Sequence, residues 1–464
     1  MIQKKFIRQL LILTALPATF AQAQVLTLQD AVRQALNNYG TLKAKSSYAG
    51  ASKLTATQTR RDYLPNLVLS AQQDFGTVNG QNGPLYGFGG YGVASSGLPL
   101  GTQNWNAAFG ALYLANVNWE FFTFGRIRER IKVSDAVAAR DARDLEQEQF
   151  QHQIRTSAAY LNLLAAQRIT QSQQKNLDRA VVFRNNAVTR SANGLIAGVD
   201  SSQANAEVAN ARMAVTRSQD LEQEMTNQLA VLMGVPPEHF TLDTAFVTHI
   251  PGGILDTTHT AIGQHPLRLF YAQRVKVSDE QTRFLNRAYY PSFSLFGIFQ
   301  TRGSGFEPGY TQNQAAFTQD YITGISPTRN NYLLGVGMNW NLTTILRNHP
   351  QVKAQQLVTR GLQAEFELAD QQLNAQMVLA NTKIKNALTN YNEANIQVKA
   401  ASDAYLQKST LYKNGLTNIV DVTQTLYALN RAETDRDIAY SNVWQALLLK
   451  AAAAGDTALF MNEL

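Results

Sequence analysis

Residues 193–203 read NGLIAGVDSSQ and residues 414–424 read NGLTNIVDVTQ, so both fit the pattern N-G-L-x-x-x-V-D-x-x-Q at an offset of 221 residues. The glycine of such an uncharged turn suits a left-handed conformation at a helix end. The aspartate suits the first turn of the next helix, because the helix dipole favours a carboxylate there. The two stretches therefore predict two helix-to-helix turns that reverse at Gly194 and Gly415.

The similarity between distant parts of the chain extends well beyond these turns. FFTFGRIRERIK at 121–132 matches LTTILRNHPQVK at 342–353 at the same offset of 221, and DYLPNLVLS at 62–70 matches AYYPSFSLF at 288–296 at an offset of 226. The offsets indicate two repeat units of about 220 residues each. Such units are too long for the repeats of a solenoid and indicate the duplication of a whole subdomain. We therefore predict a first structural repeat at 24–234, an inter-repeat linker at 235–256 and a second repeat at 257–464.

Each half contains two segments in which apolar and polar residues alternate. In the first segment, Leu67, Leu69 and Phe75 alternate with Ser70 and Asp74. Segments of about ten residues with one apolar face and an aromatic residue near one end are typical of outer-membrane strands, although strands of a soluble sheet also fit. The predicted strands lie at about 64–76, 110–124, 291–301 and 332–344.

Long segments with few helix breakers follow the two strand pairs. The segments at about 126–192 and 347–413 have 67 residues each and contain only Pro350 and Gly361 as breakers. As a continuous helix, each would be about 100 Å long, so it must pack lengthwise on neighbours. The other predicted elements are a helix at 26–62, tips at 193–199 and 414–419, and return helices at 199–234 and 420–454.

Composition and the N-terminus exclude several classes of protein. The 464-residue chain contains no Cys, which removes disulfides, thiolate metal sites and a Cys nucleophile. Residues 1–23 combine three basic residues, a short apolar run and AQA at 21–23, the pattern of a secretory signal peptide. No later stretch has the roughly 18 consecutive apolar residues of a membrane-spanning helix. We therefore expect a protein of the periplasm, the outer membrane or the exterior, without nucleic acid as a partner.

No motif of catalytic or cofactor chemistry stands in a supporting context. GFGGYG at 87–92 fits the dinucleotide pattern G-x-G-x-x-G, but no helix pattern follows it, so it predicts a loop. The six His show no metal-ligand spacing, and His259 and His265 are predicted to lie at the surface. RIRERIK at 126–132 places four basic residues at a helix start, which leaves open a solvated face or contact with lipid phosphate. No enzyme activity, cofactor or metal is expected.

The order and duplication of these motifs resemble the TolC-like outer membrane efflux protein family, from LTLQDAVRQALNN at 26–38 to the last helix. Four strands cannot close a barrel, and lipid does not tolerate an open edge, so other chains must complete the sheet. The resemblance implies a membrane α+β fold with a duplicated strand pair and long helical hairpins. It implies a homotrimer that forms a 12-stranded outer-membrane β-barrel continued by a periplasmic α-helical barrel.

The resemblance also implies a function. It indicates a passive exit duct of a tripartite efflux pump or type I secretion system, with outer-membrane lipid around the barrel. The implied partners are a periplasmic adaptor protein and an inner-membrane efflux transporter or ABC exporter. A periplasmic structural coiled-coil protein is the alternative.

Several tip residues match the family's periplasmic aperture. Tyr412 matches a tyrosine that latches neighbouring helices, and Asp421 matches a carboxylate of the pore constriction. Asp200 matches the carboxylate that receives such a latch, and Arg190 matches a basic position of the same tip. The competing interpretation for Asp421 is that its carboxylate only caps the start of the return helix, where the helix dipole favours a negative charge.

Two tip positions depart from the family pattern. Gln424 stands where a second constriction carboxylate is found, and Thr417 stands where an arginine latch is found. Three acids in a trimer, rather than six, should bind cations more weakly. The resemblance also assigns contact with the adaptor to four residues of the tip turns: Gly194, Leu195, Gly415 and Leu416.

Overall fold

The computed structural model describes residues 25–80, 97–244, 246, 250–251 and 262–463. The predicted signal peptide, the GFGGYG segment, His259 and part of the predicted linker lie outside the described residues. In chain order, the elements are α1 (Leu28–Asn38), α2 (Gly40–Arg61), β1 (Asn66–Thr77), β2 (Ala107–Phe122), α3 (Arg126–Ala192), α4 (Gly198–Met233), α5 (Pro266–Leu285), β3 (Ser292–Ser304), α6 (Tyr321–Ile325), β4 (Arg329–Asn339), α7 (Thr344–Lys413), α8 (Ile419–Ala454) and α9 (Ala458–Met461).

The chain divides into two compact units. The sheet unit comprises Lys45–Asp144 and Arg268–Ala369. The helical unit comprises Leu145–Leu267 and Asp370–Leu464, together with the chain up to Ala44. Among the helices of the described ranges, none combines the length and the hydropathy that crossing a membrane requires.

The main core of the helical unit is formed by α1, α3, α4 and α8. Leu28 of α1, Leu163 of α3, Leu229 of α4 and Trp444 of α8 belong to one buried cluster. The apolar residues of α1 recur every three or four positions and therefore form one face of that helix. Burial of each large apolar side chain contributes about 1.5–3 kcal/mol relative to exposure, so this cluster stabilises the unit.

The sheet unit contains one antiparallel sheet in the order β1-β2-β3-β4. Directly opposed residues of antiparallel strands share a face, so cross-strand rows show which residues lie together. Leu69 and Leu334 lie on the same face and are each 75% exposed. The single chain therefore leaves an apolar sheet face open. One row across this face consists of Leu67, Val117, Gly297 and Leu334.

The two outer strands have free edges. Within the described residues, β1 pairs only with β2, and β4 pairs only with β3. A row of unpaired N–H and C=O groups is a template for strands of another chain. In hydrocarbon, each unsatisfied group would cost several kcal/mol. The sheet therefore has two edges that strands of other copies can extend.

Duplicated tryptophans hold the starts of the strand pairs. The Nε1 of Trp119 donates a hydrogen bond to the carbonyl of Tyr63 at 2.8 Å, and the Nε1 of Trp340 donates to the carbonyl of Tyr289 at 3.1 Å. Both tyrosines belong to the YLP and YYP motifs that precede β1 and β3. The two halves thus make the same contact, although their paired motifs lie at two different offsets.

The helices of the sheet unit pack in antiparallel pairs. Arg60 of α2 binds both carboxylate oxygens of Asp135 of α3 at 2.8 Å, and Lys45 binds Asp144 at 2.9 Å. Residue numbers fall along α2 as they rise along α3, so the two helices run in opposite directions. The pair of α5 and α7 is held in the same way by contacts between Arg274 and Glu365, Ser278 and Thr359, and Leu285 and Asn348.

The prediction of one helix at 26–62 is wrong, because the helix is interrupted at Tyr39. This residue has an extended conformation, with φ −63° and ψ 122°, between α1 and α2. Its ring stacks on His152 with the ring centroids 3.9 Å apart. The interruption follows two asparagines and precedes Gly40, which are poor helix formers.

Two predicted strand ends are also wrong. The strand predicted at 332–344 is β4, which ends at Asn339, and the chain then turns through Asn341 before α7. Trp340 and Leu342 continue the apolar alternation past the strand, which explains the overextension. The strand predicted to end at 124 is β2, which ends at Phe122 because Phe124 takes φ 50° and Gly125 takes φ 89°. Positive φ at these residues turns the backbone out of the strand and into α3.

The prediction that His265 lies at the surface is wrong, since the residue is only 4% exposed. Its Nδ1 accepts a hydrogen bond from the backbone N–H of Leu267 at 3.1 Å, so its ring hydrogen is on Nε2 and is donated to the carbonyl of Ala452 at 3.0 Å. Gly455 ends α8 with φ 75°, and a Cβ there would lie 2.8 Å from the Cα of His265. The imidazole therefore joins the start of α5 to the end of α8.

Candidate functional site

The two duplicated turns, at 193–197 and 414–418, have the same backbone geometry. Gly194 has φ 70° and Gly415 has φ 74°, which confirms the predicted left-handed glycines. The N–H of Leu195 bonds to the carbonyl of Arg190, and the N–H of Leu416 bonds to the carbonyl of Leu411, both at 2.9 Å. This bonding satisfies the last carbonyls of α3 and α7 and forms a Schellman ending at each tip.

Arg190 joins the first tip to the second. Its Nη1 donates a hydrogen bond to the backbone carbonyl of Tyr412 at 2.6 Å. Its guanidinium carbon also lies 5.2 Å from the centroid of the Tyr412 ring. A charge-assisted hydrogen bond and a cation–π contact therefore act between the same two residues. The last turn of α3 is thereby attached to the last turn of α7.

The side chain of Tyr412 is buried inside the chain. It is 4% exposed and packs with Phe183, at a centroid distance of 5.4 Å, and with Val422. Its hydroxyl is buried, and none of the residues that the structure describes forms a hydrogen bond with it. Burial raises the pKa of the Tyr412 hydroxyl, and the nearby carboxylate of Asp200 raises that pKa further, because both disfavour a phenolate. Within the described residues of the single chain, Tyr412 therefore makes its contacts through its ring and its backbone carbonyl.

Asp421 does not cap its helix with its side chain. The N-cap of α8 is Asn418, whose side-chain oxygen accepts a hydrogen bond from the N–H of Asp421 at 2.9 Å. The Asp421 carboxylate instead accepts hydrogen bonds from the Nζ of Lys408 at 2.8 Å and from the Oγ1 of Thr417 at 2.7 Å. These two donors lower the pKa of Asp421, the lysine foremost, so the carboxylate is ionised and partly compensated.

The remaining predicted aperture residues lie near these contacts without joining them. Asp200 is in the first turn of α4 and is half-buried, and the N-cap of that helix, Ala197, makes no side-chain cap. Gln424 is exposed, about one turn beyond Asp421 on α8. Both residues lie on the first turns of a return helix. Asp200 is close enough to Tyr412 to influence the pKa of its hydroxyl, whereas Gln424 follows Asp421 along the exposed side of α8.

Both tips expose an equivalent pair of apolar side chains. Leu195 and Val199 of the first tip are 67% and 69% exposed, and Leu416 and Val420 of the second are 72% and 56% exposed. The members of each pair correspond at the offset of 221. Exposed apolar side chains in duplicated positions form a surface suited to protein contact.

Two site residues were missed from the sequence. Asn418 could have been found, because Asn followed three residues later by an acid is a helix-start pattern. Lys408 carried no such signal, since it lies 13 residues before its partner on the other helix of the hairpin.

Within the part of the chain that the structure describes, no group of three or more His, Cys, Asp and Glu residues is arranged to bind a metal ion.

Similarity to known proteins is found in structure but not in sequence. No protein-family model matches the chain, and no curated protein sequence matches it. The outer-membrane protein VceC of Vibrio cholerae has a TM-score of 0.73 at 17% identity, with 92% of this chain and 96% of VceC covered. The outer-membrane channel OprN has a TM-score of 0.72 at 18% identity, with 92% and 89% covered.

A third solved structure agrees with the first two. The CmeC outer membrane channel of Campylobacter jejuni has a TM-score of 0.72 at 14% identity, with 92% of this chain and 85% of CmeC covered. The chain therefore has the fold of these outer-membrane channel proteins, helix-rich with one small sheet. The fold expected from the resemblance to TolC-like proteins is confirmed at this level.

Proposed function

We propose that this chain is a trimeric outer-membrane exit duct that conducts substrates passively from the periplasm to the exterior. The observation that carries the proposal is the four-stranded sheet, with an exposed apolar face and two free edges. In lipid, those edges must be paired, and three copies would close a barrel of twelve strands. The channel names of the structurally similar proteins support the same role.

The long helices would form a periplasmic tunnel that continues the barrel. α7 exposes many apolar side chains in the single chain, and such side chains are suited to packing against helices of the neighbouring copies. Apolar residues that are at least half exposed along α7 include Leu357, Val358, Leu368, Val378 and Ile396. This trimer would be anchored in the outer membrane and would extend into the periplasm.

The tips would be both the docking surface and the gate of the duct. Leu195 and Leu416, with their reversing glycines Gly194 and Gly415, would contact a periplasmic adaptor protein. That adaptor would connect the duct to an inner-membrane efflux transporter or ABC exporter, in a tripartite pump or a type I secretion system. The exposed apolar residues at the turns between α3 and α4 and between α7 and α8 support this role.

The closed aperture would be set by polar contacts at the same tips. Arg190 would hold the two hairpins of one chain together through Tyr412, and Asp421 of three chains would line the constriction with Gln424 one turn away. Lys408 and Thr417 would reduce the charge that each Asp421 presents to a cation. Asp200 would contribute its negative charge beside Tyr412.

Cell fractionation followed by single-channel recording tests this proposal. The protein should sediment with the outer membrane, migrate differently on a gel before and after heating, and form conducting pores in planar bilayers. Recovery in the soluble periplasm, with no pores from the purified protein, would instead favour a structural coiled-coil protein.

A further inference from the structure

A cavity of about 390 Å³ lies where β2 passes into α3. Its lining includes the apolar side chains of Phe121, Phe122, Ile127 and Ile131 and the cationic side chains of Arg128 and Lys132. An apolar floor beside cations suits an amphiphile that has a negatively charged head.

Three of the four cations at the start of α3 have a carboxylate partner. Arg126 pairs with Glu120 at 2.5 Å, Lys132 with Glu129 at 2.9 Å, and Arg130 with Asp62 at 3.9 Å. Arg128 is exposed and makes no ion pair with any residue that the structure describes. The cavity is therefore lined by one cation whose charge no described carboxylate compensates.

Position along the helix adds to the case for an external anion. Arg128 is the third residue of α3, where the helix dipole disfavours positive charge. At the corresponding place of the second repeat stands His349, so the duplication did not retain the arginine there. An anion bound at Arg128 would relieve the unfavourable interaction between this cation and the helix end.

Aromatic residues with polar atoms border the same cavity. Tyr63, which lines the cavity, donates its hydroxyl to the carbonyl of Phe121 at 3.0 Å, and its ring lies edge-on to Trp119 at 5.9 Å. Tyr and Trp of this kind are enriched where a membrane meets water. Phe121 and Phe122 at the end of β2 are exposed, and the exposed apolar face of the sheet includes Leu67 of β1, which lies opposite Val117 of β2.

We propose that the cavity binds an anionic phospholipid, with its phosphate on Arg128 and the first part of an acyl chain on Phe121, Phe122, Ile127 and Ile131. The inference rests on the proposed outer-membrane location, and it adds a specific lipid site to it. Lys132 is paired with Glu129, whereas Arg128 forms no ion pair with a described residue, so the lining carries a net positive charge. A headgroup with a net negative charge is therefore favoured.

The test measures binding of phosphatidylglycerol to the detergent-solubilised full-length protein by native mass spectrometry. Arg128→Gln should raise the Kd about fivefold, the effect expected for one basic residue near a lipid headgroup. Arg128→Lys should keep most of the binding, and Arg130→Gln, which removes a neighbouring cation outside the cavity lining, should leave it unchanged. Phosphatidylethanolamine should bind more weakly than phosphatidylglycerol, and soluble glycerophosphate should not compete.

Equal losses in Arg128→Gln and Arg130→Gln, or no loss in either, would overturn the proposal. Competition by glycerophosphate would show a site for free phosphate instead. Weaker subunit association of the lipid-free Arg128→Gln variant would show that Arg128 makes a contact between copies. Either result would also overturn the lipid-site proposal. Because binding is measured on the isolated protein, a negative result leaves the fractionation and conductance evidence for the duct intact. Recovery of the protein in the soluble periplasm would remove the duct proposal itself.

Discussion

Replacing Arg190 and Tyr412 separately distinguishes two ways in which the tips could be held closed. The structure attaches Arg190 to the backbone carbonyl of Tyr412, while the hydroxyl of Tyr412 is buried and has no partner. Arg190→Ala should therefore open the tips, and Tyr412→Phe should not. A latch through the tyrosine hydroxyl, which the family resemblance suggests, predicts the opposite order.

The size of the Arg190 effect follows from its two contacts. A hydrogen bond that involves a charged group contributes about 1.5–3 kcal/mol, and a cation–π contact at an exposed site about 0.5–1 kcal/mol. Arg190 is half-buried, so we take about 2 kcal/mol for the pair, which corresponds to about a 30-fold shift from closed toward open. Tyr412→Phe keeps the carbonyl and the ring, and it removes a buried hydroxyl that lacks a partner, so closure should be retained.

Single-channel recording in planar bilayers measures this shift as the fraction of time in the open state. Arg190→Lys is the matched control, because it keeps the charge but loses the planar guanidinium, and it should lie between wild type and Arg190→Ala. Circular dichroism checks that each variant is folded. If Tyr412→Phe opened the channel as much as Arg190→Ala, the assignment of closure to the backbone carbonyl would be wrong.

Three further predictions concern charge, pH and backbone conformation. Lys408→Gln should strengthen block of the closed channel by a trivalent cation, because it frees the Asp421 carboxylate, whereas Asp421→Ala should weaken that block. Equal block in both variants would exclude a role of Lys408 and Asp421 in binding the cation. Burial lowers the pKa of His265 below 6.5, so the unfolded chain takes up the proton first as the pH falls. Stability, followed by thermal melting, should therefore decrease below about pH 6.5. His265→Gln should weaken this pH dependence, and an unchanged dependence would contradict the role of His265. Gly194→Ala should lower the free energy of unfolding by about 1–2 kcal/mol in a denaturant titration, because φ is 70° at this residue although there is room for a Cβ. Gly361→Ala within α7 should instead raise it by about 0.5–1 kcal/mol. A loss of the same size at both glycines would argue against backbone strain at Gly194.

The fold was largely predictable because its signals are local and occur twice. The segment without breakers between Arg126 and Ala192 is α3, and the alternation of Leu67 and Leu69 lies in β1. The errors arose where a local pattern continued past the end of an element, as at Trp340, or where a helical periodicity continued across poor helix formers, as at Tyr39. Hydrophobic periodicity alone does not report where such an element ends.

The candidate site was only partly predictable. Residue types in the tip motifs indicated the left-handed glycines and the acids of the return helices, since both depend on local backbone geometry. The partner of Arg190 depends on how the two hairpins meet, and the pairing of Asp421 with Lys408 depends on how the two helices of one hairpin pack. Burial of the Tyr412 hydroxyl also follows from packing around Phe183, which the tip motif does not contain.

The mass of the detergent-solubilised protein tests the central claim most directly. The described part of each chain contributes four strands with two free edges, so we expect a complex of three chains that retains its strand content and is stable without cross-linking. A stable monomer whose strands are formed, measured by native mass spectrometry together with circular dichroism, would contradict the account.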